Sequence, residues 1–191
     1  MQDFTEVDNN VTRHIADELK RDDWNTMVLH YLGLDHIGHK GGPKRYEDHS
    51  RRIAILVLTL SSPHMVVKQR EMDAIVRDIY TAIESEDHLR STLFVVCGDH
   101  GMNEAGNHGA SSAGETSPAL VFMSPKLREL KSTLQSPVAE DESFQYYSTV
   151  EQSDIAPTLA ALLGFPVPKN NLGALIPEFL PFWSNSRLDN C

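Results

Sequence analysis

Cysteine is scarce in this 191-residue chain: only Cys97 and Cys191 are present, so no disulfide framework organises the fold. Two thiols do not identify a redox compartment. Long apolar runs are missing as well, since the stretch Ile53 to Leu60 falls far short of the roughly 20 apolar residues that span a bilayer. The opening residues Met1 to Asp8 have neither the basic start nor the apolar centre of a secretory signal. Any address to a secretory compartment is therefore expected outside these residues. Positive charge is in deficit: 17 Lys and Arg stand against 27 Asp and Glu, a net charge of -10. The basic residues are scattered rather than gathered into a stripe, which argues against nucleic acid as a partner and leaves charge for metal cations to offset. What remains is the composition of a soluble globular domain, 40% hydrophobic and 23% charged, long enough for one sizeable core.

Along the chain, helical and strand patterns alternate. Val11 to Leu19 carries a charged helical face. Met27 to Leu32 is a short continuous apolar run and reads as a buried strand, with His30 a hydrogen-bonded core residue within it. Between Met65 and Ile83 the residues Met72, Ile75, Val76, Ile79 and Ile83 recur at helical spacing. Leu93 to Gly98 reads as a second buried strand, with Cys97 inside it, and Ala119 to Met123 as a third, stopped by Ser124-Pro125. Lys131 to Ser148 is polar and reads as loop. A last helix is signalled by Ser153 or Asp154 as N-cap, Pro157 in its first turn, the run Leu159 to Leu163 and Gly164 as its stop. This alternation predicts an α/β fold, a mainly parallel sheet flanked by helices.

The chemistry gathers behind two of the strands. Asp35-His36-Ile37-Gly38-His39 follows the first, and Asp99-His100-Gly101-Met102 follows the second. Open α/β sheets place ligand sites just past the carboxyl ends of their strands. Asp35 and His39 can meet one cation from a tight turn bent at Gly38, and Asp99 and His100 can converge only if their strand ends between Gly98 and Gly101. Asn107-His108-Gly109 lies on a Gly-containing loop that can fold back toward the second cluster. A lone His beside an Asp is most often a surface pair, but two such clusters at equivalent strand ends, with His108, point to metal. His14, His49, His64 and His88 sit in polar surroundings and read as solvated, while His36 either reaches a substrate or holds Asp35 in place. Counting donors adds a constraint. Asp35, His39, Asp99, His100 and His108 are about one ligand short of two catalytic metals with three protein ligands each, and no activated Ser or Thr stands beside them.

Asp35-x-x-Gly38-His39, Gly98-Asp99-His100-Gly101-Met102 and Asn107-His108-Gly109 resemble the two-zinc signature of the alkaline phosphatase superfamily, in its nucleotide pyrophosphatase and phosphodiesterase branch. The surrounding stretches His30 to His39, Lys68-Gln69-x-Glu71-Met72-Asp73, Asn107 to Thr116 and Asp154 to Leu159 are similar to the ethanolamine phosphate transferases of GPI-anchor synthesis. The likeness runs over most of the chain and weakens after Phe179.

The resemblance implies an alkaline-phosphatase-like domain over residues 1–180, incomplete at its amino end, followed by a divergent tail over 181–191. It implies two Zn2+ ions, with Asp35, His39 and His108 on one and Asp99 with His100 on the other. In the family the second zinc also takes an Asp and the nucleophilic Thr from an earlier part of the domain, so no catalytic nucleophile is expected among these residues. The implied reaction moves phosphoethanolamine from phosphatidylethanolamine to a mannose of the GPI precursor, with Glu115 either contacting the ethanolamine ammonium or capping a loop. A lumenal domain held at the endoplasmic reticulum membrane by segments absent here, with a membrane-protein partner subunit, is implied too. The family passes almost directly from Gly-Gly-Pro-Lys to the next helix, whereas Arg45 to Ser61 intervenes here. A retained intron is preferred over a lineage-specific loop, and the insert is expected outside the sheet. Two alternatives stay open for the chain: a soluble metal-dependent phosphodiesterase or phosphatase, and a catalytically silent half-domain.

Overall fold

The computed structural model describes residues 5–42, 63–129 and 149–182. The chain divides into two compact units, Met1–Lys131 and Ser132–Cys191. The inferred insert Arg45 to Ser61, His49, all of the polar stretch Lys131 to Ser148, and residues 183–191 of the tail lie outside the described residues.

In the first unit, α1 (Glu6–Glu18) precedes an extended segment and α2 (Gly33–Gly41). The helical periodicity after Met65 is realised as α3 (Pro63–Ser85). Its apolar stripe packs Ile79 and Ile83 against Ile15 of α1 and Leu89, and Leu19, Trp24, Leu29, Tyr31, Ile75 and Phe94 close around them. Removing this face from water is the main drive for pairing the two helices.

Met27 to Leu32 departs from its expected form. The segment has strand-like alternation, with Leu29 and Tyr31 turned to the core, Val28 85% exposed and His30 exposed, but it joins no ladder among the described residues. His30 is thus not a core histidine. A continuous run buried on both faces was expected; the apolar residues were legible, but a ladder and a second covering face depend on neighbours that a local pattern does not specify.

Phe94–Cys97 forms β1 and Leu120–Met123 forms β2, the second and third expected strands. They pair antiparallel, Phe94 opposite Met123 and Cys97 opposite Leu120, as the only sheet among the described residues. A parallel arrangement was expected. The physical reason for the difference lies in the connection: residues 98–119 contain only the short helix α4 (Ala113–Thr116), too little for a crossover, so the chain turns back on itself. An antiparallel pair within an α/β protein is common. Cys97, expected buried, is exposed at the end of β1. This hairpin geometry brings both ends of the 98–119 loop to one edge of the sheet. The unit continues with α5 (Pro125–Glu129) after Ser124-Pro125 stops the strand.

In the second unit, α6 (Ile155–Leu163) follows a single 3-10 turn over Gln152–Asp154 and ends at Gly164 in the left-handed conformation, φ 76°, as the sequence signals predict. Asp154 and Thr158 clamp the following loop. Ala174 N donates to Asp154 Oδ1 at 2.7 Å, and Ile176 N to the fully buried Thr158 Oγ1 at 2.9 Å. The Asp-x-x-x-Thr part of that motif is therefore used for packing.

Candidate metal centre

Asp35 and His39 sit on α2, four residues apart, so both side chains leave the same face of the helix. The sequence suggested a tight turn bent at Gly38. Instead the helix runs through Gly38, whose missing side chain makes room: a Cβ there would stand 2.4 Å from Met102 Sδ. The helix also meets the 98–119 loop at Gly106, against the Gly38 carbonyl.

His108 arrives from the 98–119 loop. Its Nε2 lies 3.6 Å from Asp35 Oδ1, and His39 Nε2 lies 3.4 Å from the same oxygen. Ligand atoms of Asp35, His39 and His108 all fall within 4.8 Å of one another. Both Asp–His distances exceed the hydrogen-bond range. They match what a shared cation would impose, because two ligand bonds of about 2.1 Å at a tetrahedral angle separate their atoms by about 3.4 Å. Asp35 Oδ1 is buried and accepts no hydrogen bond, a costly state for a carboxylate oxygen in a protein with no compensating partner. A cation among the three side chains would remove that cost, so the residues present fit a metal.

His100 stacks on His108, ring centroids 3.8 Å apart and planes inclined by 24°. Its Nδ1 lies 2.9 Å from the Gly101 carbonyl, an acceptor only, which assigns the proton to Nδ1 and leaves Nε2 with a free lone pair. That lone pair faces Asp99 Oδ2 at 3.7 Å, while Asp99 Oδ1 accepts from His100 N at 3.0 Å. Asp99 and His100 thus stand as a more open acid–histidine pair beside the Asp35, His39 and His108 group. Asp99 is 74% exposed in its side chain.

Glu115 is buried in α4. Its Oε1 accepts from Asn103 Nδ2 and Ala110 N, each at 3.3 Å, and its Oε2 from Ser112 N at 3.3 Å and Ser112 Oγ at 2.5 Å. These bonds, led by the Ser112 hydroxyl and opposed by burial, hold its carboxyl below the usual range. Of its two possible roles, capping the loop is the one its geometry performs. His36, half-buried and one position beyond Asp35, stands about 100° further round α2, away from the triad face. His14, His64 and His88 are exposed, as expected, and His88 Nε2 lies 3.0 Å from the Leu19 carbonyl.

Two contributors were not anticipated. Asn103 organises the loop before His108: its Oδ1 accepts from Ala105 N and Asn107 N, both at 3.0 Å. Asp8 caps α2 from α1, accepting from Leu32 N at 2.9 Å and Gly33 N at 3.2 Å. An Asn two residues ahead of a Gly-containing turn was a visible signal. Asp8 gave none, because its partners lie 24 and 25 residues away.

The type I phosphodiesterase / nucleotide pyrophosphatase family matches the chain over residues 2–116, more than half its length. The chain belongs to that family. The sulfatase family matches over residues 68–165, so both α/β assignments point to an alkaline-phosphatase-like domain, as the motifs imply. The chain is 58% identical over 185 residues to the GPI ethanolamine phosphate transferase 2 of Aspergillus oryzae, covering 97% of this chain and 20% of that protein. It is 57% identical to the protein of the same name in Aspergillus fumigatus (97% and 22%) and 46% identical to that of Saccharomyces cerevisiae (97% and 21%). The chain spans about a fifth of the length of these relatives. No solved structure matches. Among the described residues, no helix is long and apolar enough to cross a membrane.

Proposed function

We propose that the chain forms part of the catalytic domain of a GPI ethanolamine phosphate transferase, moving phosphoethanolamine from phosphatidylethanolamine to a mannose of the GPI precursor. The observation that carries this reading is the convergence of Asp35, His39 and His108 around an unpartnered Asp35 oxygen, in a chain 46% to 58% identical to three such transferases. The reading places the domain in the endoplasmic reticulum lumen, joined to the membrane by other segments and accompanied by a membrane-protein subunit.

Asp35, His39 and His108 would hold one Zn2+, and Asp99 with His100 would contribute to a second. A pair of such ions, when bound, neutralises charge on the phosphoryl oxygens and lowers the pKa of an attacking hydroxyl. The chain's own residues set up that chemistry. Asp35 supplies the negative charge shared by both imidazoles, at 3.4 and 3.6 Å. The Gly101 carbonyl fixes His100 in the tautomer whose Nε2 can ligate. Glu115 and Asn103 hold the loop that carries His108. The attacking Thr is assigned to a part of the domain outside these 191 residues. The donor set alone equally suits a phosphodiesterase that hands the group to water, which is the description under which the family matches.

The test exchanges the matched segment of the Saccharomyces relative for this chain, without Arg45 to Ser61. Labelled phosphoethanolamine is then followed in membranes lacking the native enzyme. Label on the mannosylated GPI acceptor supports the transferase. Label released only to water supports the phosphodiesterase, and no turnover at all supports the silent reading.

A further inference from the structure

Within the first unit, the largest polar investment outside the metal centre is a buried charge cluster. Asp8 is 0% exposed and Lys68 3%. Lys68 Nζ lies 3.1 Å from Asp8 Oδ2 and donates to Glu71 Oε1 at 2.8 Å. Removing ions from water costs several kcal/mol each unless geometry and hydrogen bonds compensate, so such a cluster is weak evidence for stability alone. Its position gives it another use. Leu32 stands at the N-cap of α2 and contributes no side-chain cap. The amides of Leu32 and Gly33 point instead at Asp8, whose charge also complements the positive end of the helix dipole. Two residues past Gly33 comes Asp35, and four further His39.

We infer that Asp8, held by Lys68 and Glu71, is a positioning residue that fixes the height and rotation of α2 and so sets Asp35 and His39 opposite His108. Three elements meet in the device: α1 supplies the carboxylate, α3 the counter-ion, and α2 the ligands. A slip of α2 by a fraction of a turn would carry both ligands off the shared face, because they follow the helix as a rigid pair. Lys68 stays charged there. Burial pulls its pKa down, but the bonds to Glu71 and Asp8 and the charges of both carry it above the ordinary lysine value. Tyr31, the other titratable group beside the cluster, is raised by burial and remains a neutral phenol bonded to Thr12 at 3.2 Å.

The inference rests on the metal reading of the Asp35 centre, and its test keeps the two apart. Cobalt(II) is titrated into the 191-residue chain by absorbance, and amide exchange is followed at Leu32 and Gly33. Asp8→Asn is expected to weaken cobalt binding about tenfold and to speed exchange at those two amides selectively. Ile83→Val, a core change in the α1–α3 packing away from the charge cluster, is expected to leave both unchanged. Lys68→Gln, a milder change, is expected to weaken cobalt about threefold. Cobalt affinity in Asp8→Asn within twofold of the parent overturns the proposal, as does an equal loss in Ile83→Val. If Asp8→Asn fails to fold, unchanged affinity in folded Lys68→Gln overturns it. A parent chain that takes up no cobalt, yet keeps slow exchange at Leu32 and Gly33, overturns the metal reading and the positioning role with it.

Discussion

Gly106 rests on the backbone of Gly38: a Cβ on Gly106 would stand 2.3 Å from the Gly38 carbonyl oxygen. Gly38 lies between Asp35 and His39, and Gly106 lies two residues before His108. The contact therefore sets how closely α2, with Asp35 and His39, approaches the loop that carries His108. Gly106 is also in the left-handed region, φ 78°.

Gly106→Ala meets both penalties. The conformation alone costs about 1 kcal/mol, and the clash with backbone must move α2 or the loop. Gly164→Ala carries the conformational penalty without the clash, since its φ is 76° and nothing lies within 4 Å. Both variants should lose stability to urea, but only Gly106→Ala should also weaken cobalt binding, by about tenfold or more. Parent-like cobalt affinity in Gly106→Ala would show that this contact does not set the triad.

Metal content follows from the donor set. Dialysed chain is expected to retain about one tightly held zinc and a second, weaker one, because a complete catalytic site has about three protein ligands. Asp35→Asn should abolish the tight site, while His88→Ala should match the parent. Elemental analysis decides, and two tightly held ions per chain would contradict the division into a complete and an incomplete half-site.

The loop carrying His108 should be sensitive to acid. The Glu115 carboxyl lies below its ordinary value of 4.5 in the folded chain, so its contribution is present above that value and lost as pH falls through the lower, folded one. Urea unfolding of metal-free parent and Glu115→Gln should differ most at neutral pH and converge only as pH falls through the lowered, folded value. A difference that grows on acidification would reverse the assigned sign.

The readable parts of this sequence were the ones with local signals. α3 followed from apolar recurrence between Met72 and Ile83, and α6 from Asp154 and Gly164, because period and caps are properties of adjacent residues. The juxtaposition of Asp35 and His39 was legible for a related reason: a spacing of four puts them together on a helix as well as in a turn, so it survived the wrong backbone. The strand partners were not legible. Nothing in Met27 to Leu32 states which neighbour it pairs with, and a parallel sheet was expected where β1 and β2 pair antiparallel. Asp8 was invisible because its charge looks like any other on a solvated helix, and only tertiary contact with Leu32, Gly33 and Lys68 gives it a role.

On the proposed function, Asp99 belongs to a phosphoryl-transfer centre. In the Saccharomyces enzyme carrying this chain, the decisive measurement compares labelled phosphoethanolamine transfer by Asp99→Asn and His88→Ala. His88 is exposed with its Nε2 3.0 Å from the Leu19 carbonyl, whereas Asp99 Oδ2 faces His100 Nε2 at 3.7 Å. Loss of charge stabilisation at a metal is worth several kcal/mol, and each 1.36 kcal/mol is about tenfold in rate. Asp99→Asn is therefore expected to lose at least about a hundredfold in transfer while His88→Ala keeps parental activity. Equal activity in the two variants would contradict the metal centre and the function built on it.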